Sequence, residues 1–125
     1  MLIVDDERLL RRVLCLTLAT LGFIAEEAST GEQALALLGV NHYDAVLLDV
    51  DMPGKGGIET CREIQTLSPR PVILMLTVRD DREHTAKALE AGADDYITKP
   101  FHLRDLVERI RASLAKPPSE FRYPN

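Results

Sequence analysis

Three features of this 125-residue sequence predict a doubly wound α/β domain. Short apolar runs alternate with longer segments of helical period, and the alternation repeats five times. Most of these runs are apolar throughout and do not alternate with polar residues, as expected of strands buried on both faces of a parallel sheet. The polar exceptions fall just after the runs, where ligands bind in open α/β sheets, beyond the carboxyl ends of the strands. The length suits one domain, and the apolar fraction of 46% is ordinary for a globular core.

The first run is "LIV" (2–4). In the helix after it, Leu10, Val13, Leu14, Thr17 and Leu21 are expected on one face, with Gly22 closing the helix. "FIAEEA" (23–28) reads as the second strand and "STGEQALALLG" as the second helix, where Thr30 and Gln33 have capping-box spacing and Gly39 is the expected stop. "AVLL" (45–48) is the third strand. A loop containing Pro53, Gly54, Gly56 and Gly57 leads from it to a helix over 57–67 that ends before Ser68-Pro69.

"VILML" (72–76) is the fourth strand, followed by a polar turn and a small-residue helix in "HTAKALEAG". "DYI" (95–97) is the fifth and shortest. The last helix, 103–115, places Leu103, Leu106, Val107, Ile110 and Leu114 on one side. The domain is therefore assigned to 1–115. The aperiodic, proline-containing "KPPSEFRYPN" (116–125) reads as linker or tail.

The formal net charge of −5 and the lack of a basic stripe argue against nucleic-acid binding by this segment itself. No apolar run approaches the roughly 18 residues needed to span a bilayer. Nor does "MLIV", followed at once by Asp5, Asp6 and Glu7, resemble a signal peptide. Cys15 and Cys61 lie far apart within helical patterns, and free thiols in a reducing, cytoplasmic setting are expected.

The residues just after the strands make a set: Asp5 and Asp6, Asp49, Thr77, and Thr98-Lys99-Pro100. Taken singly, each has an ordinary explanation. An Asp pair caps helices, a Thr suits a strand end, and a Lys suits the surface. Together on one sheet edge they point elsewhere. Converging carboxylates raise one another's pKa unless a cation neutralises them, and Mg²⁺ is commonly held by one or two carboxylates with water and phosphate oxygens. Thr77 and Lys99 supply a hydroxyl and a compact charge suited to a phosphate group.

"LIVDDE", "LLDVDMPG", "LT" at 76–77 and "GADDYITKPF" stand in the order and spacing of the receiver domain of bacterial two-component response regulators. The resemblance covers about 1–115. It implies a flavodoxin-like (βα)5 fold with strand order 2-1-3-4-5, and a sensor histidine kinase as partner. By the same resemblance Asp49 is the phosphoacceptor. Mg²⁺ is the implied cofactor, bound directly by Asp6, largely through water by Asp5, and further by Asp49 and the backbone carbonyl of Asp51. Thr77 and Lys99 contact the phosphoryl group, Tyr96 is the aromatic switch, and Lys99-Pro100 is a cis peptide.

"GADDYITKPF" with "RDLVERIRASL" looks most like the OmpR/PhoB-type branch, which carries a winged-helix DNA-binding domain downstream. DNA is thus expected only through an effector outside this segment, unless the receiver stands alone. That branch dimerises through its fourth helix, fifth strand and fifth helix. This maps Glu90 with Arg111 and Asp95 with Arg109 across a homodimer, around Leu89 and Val107. A third pair fails, because Thr85 faces Asp105 where the branch usually has a base.

Val78, bulkier than the usual Ala or Gly, is expected to narrow access to Asp49. Asp51 and Arg79 are expected to pair over the pocket and slow loss of the phosphoryl group. Two rival readings fit less well. An aspartyl-phosphate phosphatase lacks its D-x-D-x-T/V pattern, because Pro53 follows Asp49 and Asp51. A calcium loop lacks ligands at Pro53 and Thr60.

Overall fold

The computed structural model describes residues 1–78 and 82–115. The predicted Arg79 contact and the 116–125 tail lie outside these residues. The elements are β1 (Leu2–Val4), α1 (Arg8–Thr20), β2 (Glu26–Ala28), α2 (Gly31–Val40), β3 (Ala45–Asp49), α3 (Gly57–Ile64), β4 (Val72–Thr77), α4 (Arg82–Glu90), β5 (Asp95–Thr98) and α5 (Leu103–Ala115). All strand pairs are parallel, in the order β2-β1-β3-β4-β5.

Apolar runs suit the three central strands because their alternate residues enter two separate cores. Leu2, Val4, Val46, Leu48, Ile73 and Met75 meet Ala34, Cys61, Ile64 and Ala88 on one face. Ile3, Leu47, Leu74, Leu76 and Ile97 meet Leu14, Cys15, Leu18, Leu106 and Ile110 on the other. Both cysteines are free and buried.

Several boundaries and faces differ from the sequence expectations. In α1 the buried residues are Leu14, Cys15 and Leu18, whereas Val13 and Leu21 are 58% and 42% exposed. This helix also carries an outward apolar stripe, Leu9, Val13 and Leu16, so periodicity alone selected a face rotated from the true one. In α5 the face is Leu106, Ile110 and Ser113, and Leu114 turns outward. The edge strand β2 is only three residues long, and α3 stops at Ile64.

Gly22 closes α1 as expected: at φ +95° its N–H donates to Ala19 O, and Phe23 N donates to Leu18 O. At α2, Thr30 Oγ1 caps Gln33 N at 3.0 Å. Gln33 Oε1 accepts from the Ser29 backbone N–H at 2.7 Å, one residue before the Thr30 amide that the capping-box spacing suggested. The helix continues through Gly39 to Val40.

Candidate functional site

Strand register brings the site together. Val4 is paired with Leu48, so Asp5, just past the end of β1, comes level with Asp49 at the end of β3. Asp49 is paired with Leu76, and Thr77 with Thr98, which places Thr77 and Lys99 at the same edge. Ligand oxygens of Asp5, Asp6 and Asp49 all lie within 4.8 Å of one another.

Asp5 is fully buried, Asp49 is 4% exposed, and Asp6 faces solvent. The Lys99 ammonium donates to Asp5 Oδ2 at 3.0 Å and to Asp49 Oδ1 at 3.4 Å, with Glu7 Oε1 at 3.8 Å. Asp5 Oδ1 also accepts from Glu7 N at 2.9 Å. The Lys99-Pro100 peptide is cis, as the family resemblance implied, and Lys99 N donates to Thr77 O at 2.6 Å.

Burial and the neighbouring Asp5 charge push the Asp49 carboxyl up to about 7, against the opposing pull of Lys99. Burial alone would lower Lys99. The hydrogen bonds and charges of Asp5 and Asp49 together outweigh it and hold the ammonium above its ordinary value. One amine is thus shared among carboxylates that repel each other. Three carboxylates within 4.8 Å form a hard-oxygen donor set with charge to spare, which fits a divalent ion such as Mg²⁺.

Asp51 is exposed, and its N–H lies 3.4 Å from Asp49 Oδ1. Thr77 is buried and the following Val78 is 63% exposed. Tyr96 is half-buried. It packs against the core on the α4 side and lines a cavity of about 260 Å³ with Phe101, His102, Asp105 and Arg109.

The residues mapped to a dimer face make other contacts within the single chain. Arg109 Nη1 donates to both carboxylate oxygens of Asp95 at 3.0 Å, and Glu90 lies 3.9 Å from Arg62. Arg111 sits over the Phe23 ring. Leu89 is 50% exposed, Val107 and Thr85 are half-buried, and Asp105 is exposed.

Two site residues escaped the sequence reading. Gly57 opens α3 directly against β3, where a Cβ would lie 2.2 Å from Asp49 O. The glycine cluster signalled a turn, but not this contact. Arg11 donates from Nη1 to the Asp5 carbonyl at 2.7 Å. It is three residues before Leu14 and four before Cys15, so a cation on the buried face of α1 was a readable signal that a partner must exist.

These features define the class: a doubly wound α/β domain with an acidic pocket at the carboxyl edge of its parallel sheet. The family model for the response regulator receiver domain matches residues 1–111, and the chain belongs to that family. Among its relatives, response regulator MprA of Mycobacterium sp. (strain KMS) is 44% identical over 115 residues, 92% of this chain and 50% of the relative. Transcriptional regulatory protein ResD of Bacillus subtilis (strain 168) is 42% identical over 115 residues, 92% of this chain and 48% of ResD.

The chain thus spans about half the length of these curated relatives. Among solved structures, a putative response regulator from Chloroflexus aurantiacus J-10-fl superposes with TM-score 0.86 at 37% identity, covering 92% of this chain and 96% of that one. Vibrio cholerae chemotaxis protein CheY4 does so with TM-score 0.83 at 30% identity, covering 90% and 95%. Among the described residues no helix is long and apolar enough to cross a membrane.

Proposed function

We propose that Asp49 accepts a phosphoryl group from a phosphohistidine of a sensor histidine kinase in the cytoplasm. The observation that carries this reading is the convergence of buried Asp49 with Asp5, Asp6 and Lys99 at one strand edge. An Asp49 carboxylate oxygen attacks phosphorus and the P–N bond to the imidazole breaks. The departing ring nitrogen keeps the bonding electrons and takes up a proton, leaving an acyl phosphate.

Phosphoryl transfer asks a protein chiefly for positioning and for charge stabilisation. Asp49 is held by a strand buried along its whole length. Lys99 is already placed to meet a phosphoryl oxygen, and the Thr77 hydroxyl stands at the same edge to donate to another. Asp5, Asp6, Asp49 and the Asp51 carbonyl are the groups that would hold Mg²⁺, which when bound supplies further positive charge against the phosphoryl oxygens. Val78 narrows the approach of small donors.

The phosphoryl group carries about two negative charges at neutral pH, in place of the single charge of the carboxylate. Thr77 and Lys99 are drawn toward them, and Tyr96, at present half-buried beside its cavity, shifts with them. That movement re-forms the α4, β5 and α5 surface, a population shift read by an effector. The likeness to ResD, a transcriptional regulatory protein by name, supports an effector that binds DNA. The same surface supports a phosphorylation-strengthened homodimer in which Asp95 and Arg109 exchange their internal pair for partners across the interface, with Glu90 and Arg111 flanking Leu89 and Val107. Such exposed pairs contribute only about 0–1 kcal/mol each, so they set orientation more than affinity.

The test is incubation with Mg²⁺ and acetyl phosphate. An acid-stable, alkali-labile phosphoryl group that requires Mg²⁺ and disappears in Asp49→Asn is expected. Equal labelling of Asp49→Asn overturns the reading.

A further inference from the structure

Asp5 and Asp6 are joined by a single peptide unit, and the backbone is held on both sides of the Asp5 Cα. The Asp5 N–H donates to Ala28 O on β2 at 3.2 Å. The Asp5 carbonyl, part of the peptide that carries Asp6, accepts from Arg11 Nη1 at 2.7 Å. Arg11 is in turn fixed from the other side, because its Nε donates to Glu27 Oε1 at 2.9 Å, also on β2. Arg12 Nη1 donates to Glu27 Oε2 at 2.8 Å and completes the cluster. Arg11 is the buried member, with a side chain 13% exposed against 57% for Arg12.

We propose that Arg11 is the positioning residue of the acidic pocket: by clamping the Asp5–Asp6 peptide to β2 through Glu27, it sets where the two carboxylates stand for a divalent cation. This rests on the Mg²⁺-dependent reading above. The two side chains point different ways from one loop, Asp5 inward to Lys99 and Asp6 outward to solvent, and the orientation of their shared peptide decides where Asp6 projects. Rotation of that peptide moves Asp6 while Asp5 stays held by Lys99 and the Glu7 amide. The planar guanidinium suits this task, because it presents two donors in fixed relative directions, one to the carbonyl and one to Glu27.

Groups that orient metal ligands commonly alter affinity about 10–100-fold when removed. Mg²⁺ titration followed by calorimetry, with urea unfolding of each variant alongside, tests the proposal. Arg11→Ala is expected to weaken Mg²⁺ about 10-fold or more. Arg11→Lys keeps one donor for the Asp5 carbonyl and recovers part of that loss. Glu27→Gln, which leaves Arg11 in place but loosens its anchor, gives an intermediate loss.

Arg12→Ala removes an exposed cation from the same Glu27 and leaves the affinity unchanged. Binding by Arg11→Ala within about twofold of the unmodified protein, or an equal loss in Arg12→Ala, overturns the proposal. If Arg11→Ala does not fold, the ordering of Arg11→Lys and Glu27→Gln against Arg12→Ala decides it. Failure of the unmodified protein to bind Mg²⁺ would instead refute the phosphoacceptor reading on which this rests.

Discussion

Replacing Asp49 by Asn should stabilise the metal-free protein, and by an amount that depends on pH in a defined way. The carboxyl titrates at 3.8 when unfolded and is pushed up to about 7 when folded, by burial first and the Asp5 charge second. Between those values the folded state holds a proton that the unfolded state has released, so stability falls as pH rises through the window. Below about pH 4 both states are protonated and there is no penalty; above about 7 both are ionised and the penalty is complete.

The gap of about 3 pH units, at ~1.4 kcal/mol per tenfold, comes to about 4 kcal/mol. With a residue only 4% exposed, solvent screening reduces this little. Asn keeps the shape and an acceptor for Lys99 but cannot ionise. Urea unfolding in chelator from pH 4 to pH 8 measures the difference between the two proteins, and titrating groups remote from the pocket cancel in it. The difference should grow in favour of Asn by ~1.4 kcal/mol per pH unit through the middle of the window and level off near pH 7. A difference that is flat across this range, or that favours Asp49 at pH 8, would refute the electrostatic account of the pocket.

Two structural predictions follow from contacts near the strand ends. Gly57→Ala places a methyl against the Asp49 carbonyl and the Val50 Cα, backbone atoms that cannot swing away, so urea unfolding should show a loss of about 2–3 kcal/mol; a neutral change would contradict the packing of α3 on β3. Asp94, its side chain 1% exposed, accepts from both Arg70 Nη2 at 3.0 Å and the Ile73 amide at 2.8 Å, which ties β5 to β4. Asp94→Ala leaves a cation and an amide without their acceptor and should cost about 3–5 kcal/mol in the same assay, whereas a loss under about 1 kcal/mol would refute that role.

The central strands were legible because their apolar runs admit few other arrangements, and the convergence of Asp5, Asp6, Asp49, Thr77 and Lys99 follows once those runs are parallel. The edge strand was harder to read, since "EEA" has little intrinsic strand preference. Its Glu27 is held by Arg11 and Arg12, and Glu26 accepts from the Tyr43 hydroxyl. The face of α1 was only partly legible: Leu10 and Leu14 do meet the sheet, but Leu9, Val13 and Leu16 make a second stripe with helical spacing, and spacing carries no information on which stripe is buried. Gly57 and Arg11 act through backbone carbonyls, and a residue's sequence position does not say which carbonyl it will approach.

The most direct measurement of the central claim is chemical mapping of the phosphoryl group after exposure to a phosphohistidine kinase domain and Mg²⁺. Borohydride reduces an aspartyl acyl phosphate to homoserine, which peptide mass spectrometry locates by residue. Homoserine at position 49 alone, formed only in phosphorylated protein, is the predicted result. Homoserine at another aspartate, or a phosphoryl group that survives on a different side chain, would contradict it.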